Sequence, residues 1–377
     1  MINWRLAIPP FLCLLLLGAC SRPEATPGEP AVQQVAQESP SLVTLATPEP
    51  AAATSTTSFT PEPVVATLPA SPAPEPAVAT STVLPTPEPA AATPTIPGTS
   101  APAADEALQT PELPASDYLA RRRSHATVLT SHRPAPYAWS DGPLPPGVTE
   151  VWYPSGELRL RAWLMLPKDA PAQVPAVVYF HGYFGLGWDE FAHCQPFLDA
   201  GYAVLLPALR GENGNPGDFQ LWYGEIEDAA AAVRWLAAQP NIDAGHIYAF
   251  GYSVGGGVST LLSLWDDVPV RLIGSSGGLY TAGIFGAWTD ILPFDLNDAQ
   301  EVQLRLLRGN MASMRHRHIA YLGQDEWLAQ FAPAAEAEAK ACGAPLTVQY
   351  VPGDHYTALP RAIAAFIEAI SAHENDL

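Results

Sequence analysis

Basic residues are scarce in this chain. Only 18 Lys and Arg stand against 38 Asp and Glu, a formal net charge of −20 over 377 residues. A nucleic-acid surface needs clustered Lys and Arg to displace phosphate counterions, so that class of partner is excluded. Cysteine is scarcer still, with four in all and only Cys194 and Cys342 beyond the first twenty positions. Two such residues make no disulfide framework. Both are expected on helices at opposite faces of a sheet, as separate buried thiols. The apolar run at residues 6–19 is also short: about fourteen residues, where a bilayer crossing takes about twenty. Aromatic and basic residues are nearly missing from residues 21–116, which hold roughly half of the 41 prolines, so no packed core can form there.

What is present divides the chain into three. Residues 1–19 read as a signal peptide, with Arg5 ahead of the apolar run. The run ends Leu17-Gly18-Ala19-Cys20, which resembles the lipobox of bacterial lipoproteins. That resemblance implies cleavage before Cys20, lipid attachment to its sulfur and an extracytoplasmic, membrane-anchored protein. Residues 20–116 form a disordered spacer rich in Pro, Ala and Thr. Thr47-Pro48-Glu49-Pro50 recurs with small variations at residues 60, 73 and 86, a thirteen-residue period with no apolar face to stack. Proline biases such a stretch towards polyproline II, suited to holding a domain away from a surface. Residues 117–377 remain for one globular domain, of a size common for a single α/β unit.

Its pattern is α/β. Residues 148–153 and 157–166 flank Pro154-Ser155-Gly156 as a hairpin. Residues 174–180 are wholly apolar and β-branched, as buried parallel strands are. Strands at 202–206, 246–250, 270–273, 319–322 and 346–351 then alternate with helices at 188–200, 221–239, 253–265, 298–307, 330–340 and 359–370. Such alternation predicts a mostly parallel sheet covered by helices on both faces.

Gly251-Tyr252-Ser253-Val254-Gly255 follows one of these strands and opens a helix. In that context the G-x-S-x-G pattern is a sharp turn that lifts the serine oxygen clear of the sheet. A second pattern, Gly274-Ser275-Ser276-Gly277-Gly278, also follows a strand but opens no helix, so Ser253 is the candidate nucleophile. A serine needs a base oriented by an acid, and in this fold the chain order is serine, acid, histidine. His355, between the last strand and the last helix, is the base. Asp325 ends the preceding strand and is the candidate acid, with Glu326 beside it as the alternative. The oxyanion needs fixed donors, expected from the Val254 N–H and from the Tyr183 N–H, with Phe184 as the alternative to Tyr183. His181 is expected to brace that loop.

These residues carry a wider likeness. From about 150 to 373 the chain resembles the catalytic domain of the prolyl oligopeptidase family, within the α/β-hydrolase fold. The likeness rests on His181-Gly182, Gly201-Tyr202-Ala203-Val204, Arg210-Gly211, Asp228 with Arg234-Trp235-Leu236, Asn241-Ile242-Asp243 and Gly251-Tyr252-Ser253-Val254-Gly255-Gly256. It implies a serine peptidase with Ser253, Asp325 and His355 as its triad, structural roles for Arg210 and Asp228, and no cofactor or metal. A departure is the spacer, which stands where larger members carry a β-propeller. The domain is therefore also similar to dienelactone hydrolases and acetyl esterases, and an ester substrate stands as the alternative to a peptide. A catalytically inactive binding domain on a stalk is the reading from another class. His316 and His318 lack partners for a metal. The run Arg121-Arg122-Arg123 reads as a solvated lead-in or a contact for anionic headgroups. Phe285, Trp288 and Phe294 read equally as lid or core.

Overall fold

The computed structural model describes residues 117–137 and 142–375. The expected signal peptide 1–19, lipid-bearing Cys20 and spacer 20–116 lie outside the described residues. Among those described, no helix is long and apolar enough to cross a membrane.

The first element, α1 (Tyr118–Ser124), is capped by Asp117, whose carboxylate accepts from the Leu119 and Ala120 N–H groups. It carries the arginine run, and its docking corrects one expectation. Arg122 is buried. Its guanidinium donates to the Tyr223 carbonyl at 2.9 Å, pairs with Glu227 at 3.1 Å and lies 3.9 Å over the Tyr223 ring. Arg122 therefore fastens the start of the domain onto its body, since a planar guanidinium can stack and donate at once.

Eight strands follow in one sheet. The hairpin β1 (Val148–Ser155) and β2 (Leu158–Met165) is antiparallel, and β2 also runs antiparallel to β4 (Ala203–Pro207). From β3 (Val174–Phe180) onward every pairing is parallel, through β5 (Ile242–Tyr252), β6 (Leu272–Ser276), β7 (His318–Gly323) and β8 (Leu346–Val351). The spatial order is β1-β2-β4-β3-β5-β6-β7-β8. This is the expected α/β-hydrolase architecture. The order reverses beside β3, with β4 on one side and β5 on the other. Open parallel sheets place their ligand crevice at such a switch point, beyond the carboxyl ends of the strands.

Alternation along each strand feeds two cores. Val174, Ala176, Val178 and Phe180 face one side with α3 (Gly224–Ala237) and α4 (Val254–Leu262), whereas Val177 and Tyr179 face the other with α2 (Glu190–Asp199) and α8 (Leu359–Asn375). The remaining α-helices among the described residues are α5 (Gly283–Ala287), α6 (Ala299–Gln303) and α7 (Ala332–Cys342). The helix expected over 298–307 stops at Gln303, because the Asn310 amide donates to the Gln303 and Leu306 carbonyls and ends the turn. Cys194 and Cys342 sit on α2 and α7, on opposite faces as expected and unpaired, but only Cys194 is buried. Arg210 and Asp228 are structural, as the resemblance implies: the fully buried Asp228 carboxylate accepts from the Arg210 Nε and Nη2 at 2.8 Å each and from the Ser155 hydroxyl at 2.6 Å.

Candidate active site

The turn after β5 is strained in the way the motif demands. Ser253 has φ 50°, a region that side chains rarely adopt, and it caps α4. A Cβ at Gly255 would lie 2.2 Å from the Phe180 carbonyl oxygen, and one at Gly251 would lie 2.0 Å from the Gly255 oxygen. Both positions therefore have to be glycine for α4 to start so close to β3.

His355 meets this turn from the loop between β8 and α8. Its Nε2 is 2.9 Å from Ser253 Oγ, so residues 102 positions apart share one hydrogen bond. Behind the ring the structure corrects the acid. Asp325 is exposed, while Glu326 is buried with its Oε1 at 3.6 Å from His355 Nδ1. The cause is a turn. The Glu326 N–H donates to the Gly323 carbonyl, which makes Gln324 and Asp325 the corner residues and throws their side chains into solvent. Glu326 then folds back, and its Oε2 accepts from the Gly323 N–H at 2.8 Å. Among the described residues its Oε1 and His355 Nδ1 each lack a hydrogen-bond partner. The 3.6 Å gap is longer than a hydrogen bond, and such contacts commonly tighten when substrate arrives.

The second glycine-rich turn is the bed of the first. The Ser253 N–H donates to the Ser276 carbonyl at 2.8 Å, and Ser275 and Ser276 are fully buried. Gly277 has φ 67°, and a Cβ there would stand 2.6 Å from the His355 ring. This turn thus leaves room for the His355 ring instead of presenting a hydroxyl to the cavity.

Tyr183 and Val254, the expected oxyanion donors, border the same cavity of about 330 Å³ as Ser253 and His355, and so does Phe184. Tyr183 also has a left-handed backbone, φ 59°, so its loop is held in shape by its surroundings. The bracing is ionic. His181 is buried, with Nδ1 donating to the Gly182 carbonyl at 2.8 Å and Nε2 to Glu212 at 3.0 Å. Burial disfavours its charged form, but the adjacent Glu212 carboxylate, with Glu190 beyond, outweighs that and raises its pKa to about 9. Glu190 completes the brace by accepting from the Gly182 N–H at 2.9 Å and from His193 at 2.9 Å.

The rest of the cavity wall is largely aromatic, with Tyr137, Tyr280, Trp288, Trp327 and Tyr356, and is completed by Ile284, Ala287, Ile291 and one acidic residue, Asp290. Phe285, Trp288 and Phe294 are all buried, and Trp288 also faces the cavity, so that segment is core and wall together. Sequence reasoning missed Tyr280, whose hydroxyl lies 3.4 Å from Ser253 Oγ; its place just past the second glycine turn was the available signal. His318 is a core histidine: its Nε2 meets the Ser275 hydroxyl at 2.8 Å, and burial lowers its pKa to about 3. Among the described residues no group of side chains is arranged to hold a metal ion.

Residues 155–278 match the model of the X-Pro dipeptidyl-peptidase (S15) family, a stretch that includes Ser253 and stops before Glu326 and His355. The uncharacterized peptidase YtmA of Bacillus subtilis is 30% identical over 115 residues, covering 30% of this chain and 44% of that protein. An uncharacterized protein of Mycobacterium tuberculosis, Rv2307c, is 33% identical over 121 residues, covering 32% of this chain and 42% of that protein. The chain spans less than half the length of either relative. Among solved structures, an esterase of Pyrococcus furiosus superposes with a TM-score of 0.51 at 16% identity, over 66% of this chain and 98% of that one. That likeness is one of fold. Together these findings support a hydrolase built on the α/β-hydrolase fold.

Proposed function

We propose that the protein is a serine hydrolase that opens ester or peptide carbonyls through an acyl-enzyme on Ser253. The observation that carries the reading is the 2.9 Å contact between Ser253 Oγ and His355 Nε2, with Glu326 behind the ring. In the resting site the Ser253 hydroxyl donates to His355. As Oγ attacks the carbonyl carbon, its proton passes to Nε2 and Glu326 steadies the imidazolium. The Val254 and Tyr183 N–H groups stabilise the charge on the carbonyl oxygen. His355 then protonates the leaving group, and water releases the acyl chain by the same steps in reverse.

The cavity suits a compact, largely apolar acyl group, since about 330 Å³ with mostly aromatic and aliphatic walls, Asp290 apart, is at the small end of ligand sites. Cleavage after proline is the first reading of the bond. It is supported by the match to the X-Pro dipeptidyl-peptidase model and by the motifs resembling the prolyl oligopeptidase catalytic domain. Ester hydrolysis is the second reading, favoured by the small cavity. One enzyme preparation assayed with an X-Pro p-nitroanilide and with p-nitrophenyl esters separates them. Turnover of the anilide is expected, and turnover of esters alone removes the peptidase reading. Anchoring through lipid on Cys20 outside the cytoplasmic membrane belongs to the same proposal and is supported by Leu17-Gly18-Ala19-Cys20. A Cys20→Ser protein is expected to leave the membrane fraction, and one that stays there contradicts the anchor.

A further inference from the structure

Tyr280 stands closer to the reacting oxygen than any wall residue needs to. It is buried, and its ring is wedged against Trp222 at 4.8 Å and Trp288 at 5.7 Å. Trp222 is itself fixed. Its Nε1–H donates to the Val254 carbonyl at 2.9 Å, and Leu221 and Trp222 both hold left-handed backbones, φ 46° and 62°. One indole therefore seats both the first turn of α4 and the Tyr280 ring, so the serine and the phenol are positioned from a single support.

The direction of the Tyr280 hydrogen bond follows from the other contact. On the serine hydrolase reading His355 Nε2 accepts the Ser253 proton across their 2.9 Å contact, which leaves Tyr280 to donate and Ser253 Oγ to accept at 3.4 Å. Burial raises the Tyr280 pKa above the ordinary tyrosine range, which keeps the donor protonated. At 3.4 Å the bond is long beside the usual 2.7–2.8 Å or so, and it contributes little in the resting site. A hydrogen bond that strengthens only as charge gathers on its acceptor lowers the barrier without tightening binding.

We propose that Tyr280 is a catalytic residue whose hydroxyl donates to Ser253 Oγ as that oxygen becomes the leaving group. The proposal rests on the serine hydrolase reading above. In deacylation the water oxygen bonds to the acyl carbon and its proton goes to His355 Nε2. The carbon–Oγ bond then breaks with its electron pair left on Oγ, and His355 returns the proton there. Tyr280 keeps its own proton throughout and bears on the step in which Oγ carries the most charge.

Stopped-flow hydrolysis of p-nitrophenyl acetate by wild type and Tyr280→Phe tests this, with rates expressed per serine labelled by a fluorophosphonate so that unfolded chains do not count. The expected result is a kcat lower by about 10–100-fold, the range for one lost donor, with KM falling in step and kcat/KM within about threefold, because only deacylation slows. Nitrophenolate should then appear as a burst near one equivalent followed by a slow phase. Tyr280→Leu, which also removes the ring, should lower kcat/KM in addition. An unchanged kcat in Tyr280→Phe, or a kcat/KM that falls in step with kcat and shows no burst, overturns the role and leaves Tyr280 as wall. A wild type that neither labels at Ser253 nor hydrolyses ester overturns the serine hydrolase reading itself.

Discussion

Two glycine-serine turns lie side by side at the carboxyl ends of β5 and β6, nearly alike in composition and opposite in use. In Gly251-Tyr252-Ser253-Val254-Gly255 the glycines let a helix start against β3, which leaves the serine strained at the cavity. In Gly274-Ser275-Ser276-Gly277-Gly278 no helix begins, both serines are buried, and the glycines make room for the nucleophile turn and for His355. A serine between glycines thus faces the cavity or cushions a neighbouring turn according to what the chain does next.

The sharpest way to break that contrast is to remove each hydroxyl. Ser253→Ala should lower turnover by roughly 10⁴–10⁶-fold without lowering the melting temperature, whereas Ser276→Ala should stay within about threefold of wild type. Equal losses in steady-state assays would erase the distinction. The acid offers the next test. Glu326→Gln should cost about 10²–10⁴-fold in kcat, because the amide cannot steady an imidazolium, while Asp325→Asn at the exposed corner should cost almost nothing. The reverse ranking would restore Asp325.

Gly277 sharpens the cushion role. An alanine there meets the His355 ring at 2.6 Å on a backbone with φ 67°, so the ring must move. Gly277→Ala should lower kcat by about 10–100-fold, and fluorophosphonate labelling should slow in proportion. Full activity would mean that the ring has slack to spare.

The smallest effect is on stability, through two buried histidines held in opposite states. The His181 pKa is raised to about 9, so its contribution is complete below about 6.5 and is lost as pH climbs through 9. The His318 pKa is lowered to about 3, so its contribution is complete above about 6.5 and is lost as pH falls through 3. Melting temperature should peak near neutrality and fall by on the order of 5–10 °C towards pH 9.5. In a Glu212→Gln protein the alkaline fall should shrink. An alkaline limb unchanged by that substitution would mean that His181 is not the charged brace.

Much of this architecture was legible because it is written in periods. Apolar runs such as 174–180 and alternation in the hairpin mark strands, and the helix after Ser253 follows from its position in that order. The distant pairing of Ser253 with His355 was legible through chain order alone. The choice between Asp325 and Glu326 was not. Adjacent carboxylates differ there only in which side of a turn they occupy, and that turn is closed by a backbone hydrogen bond to Gly323. Arg122 was illegible for a related reason: three successive arginines on a helix point three ways, and only the docked face tells which one is buried. Cys342 lies on the exposed side of α7, a question of rotation that a short alanine-rich helix leaves open.

The central claim is that one hydroxyl in this domain is activated by a histidine 102 residues away. Reaction with a fluorophosphonate, followed by intact mass and peptide mapping, tests it most directly. The account predicts a single adduct on Ser253, abolished in His355→Ala. An adduct on Ser276, or labelling of Ser253 that is indifferent to His355, would contradict it.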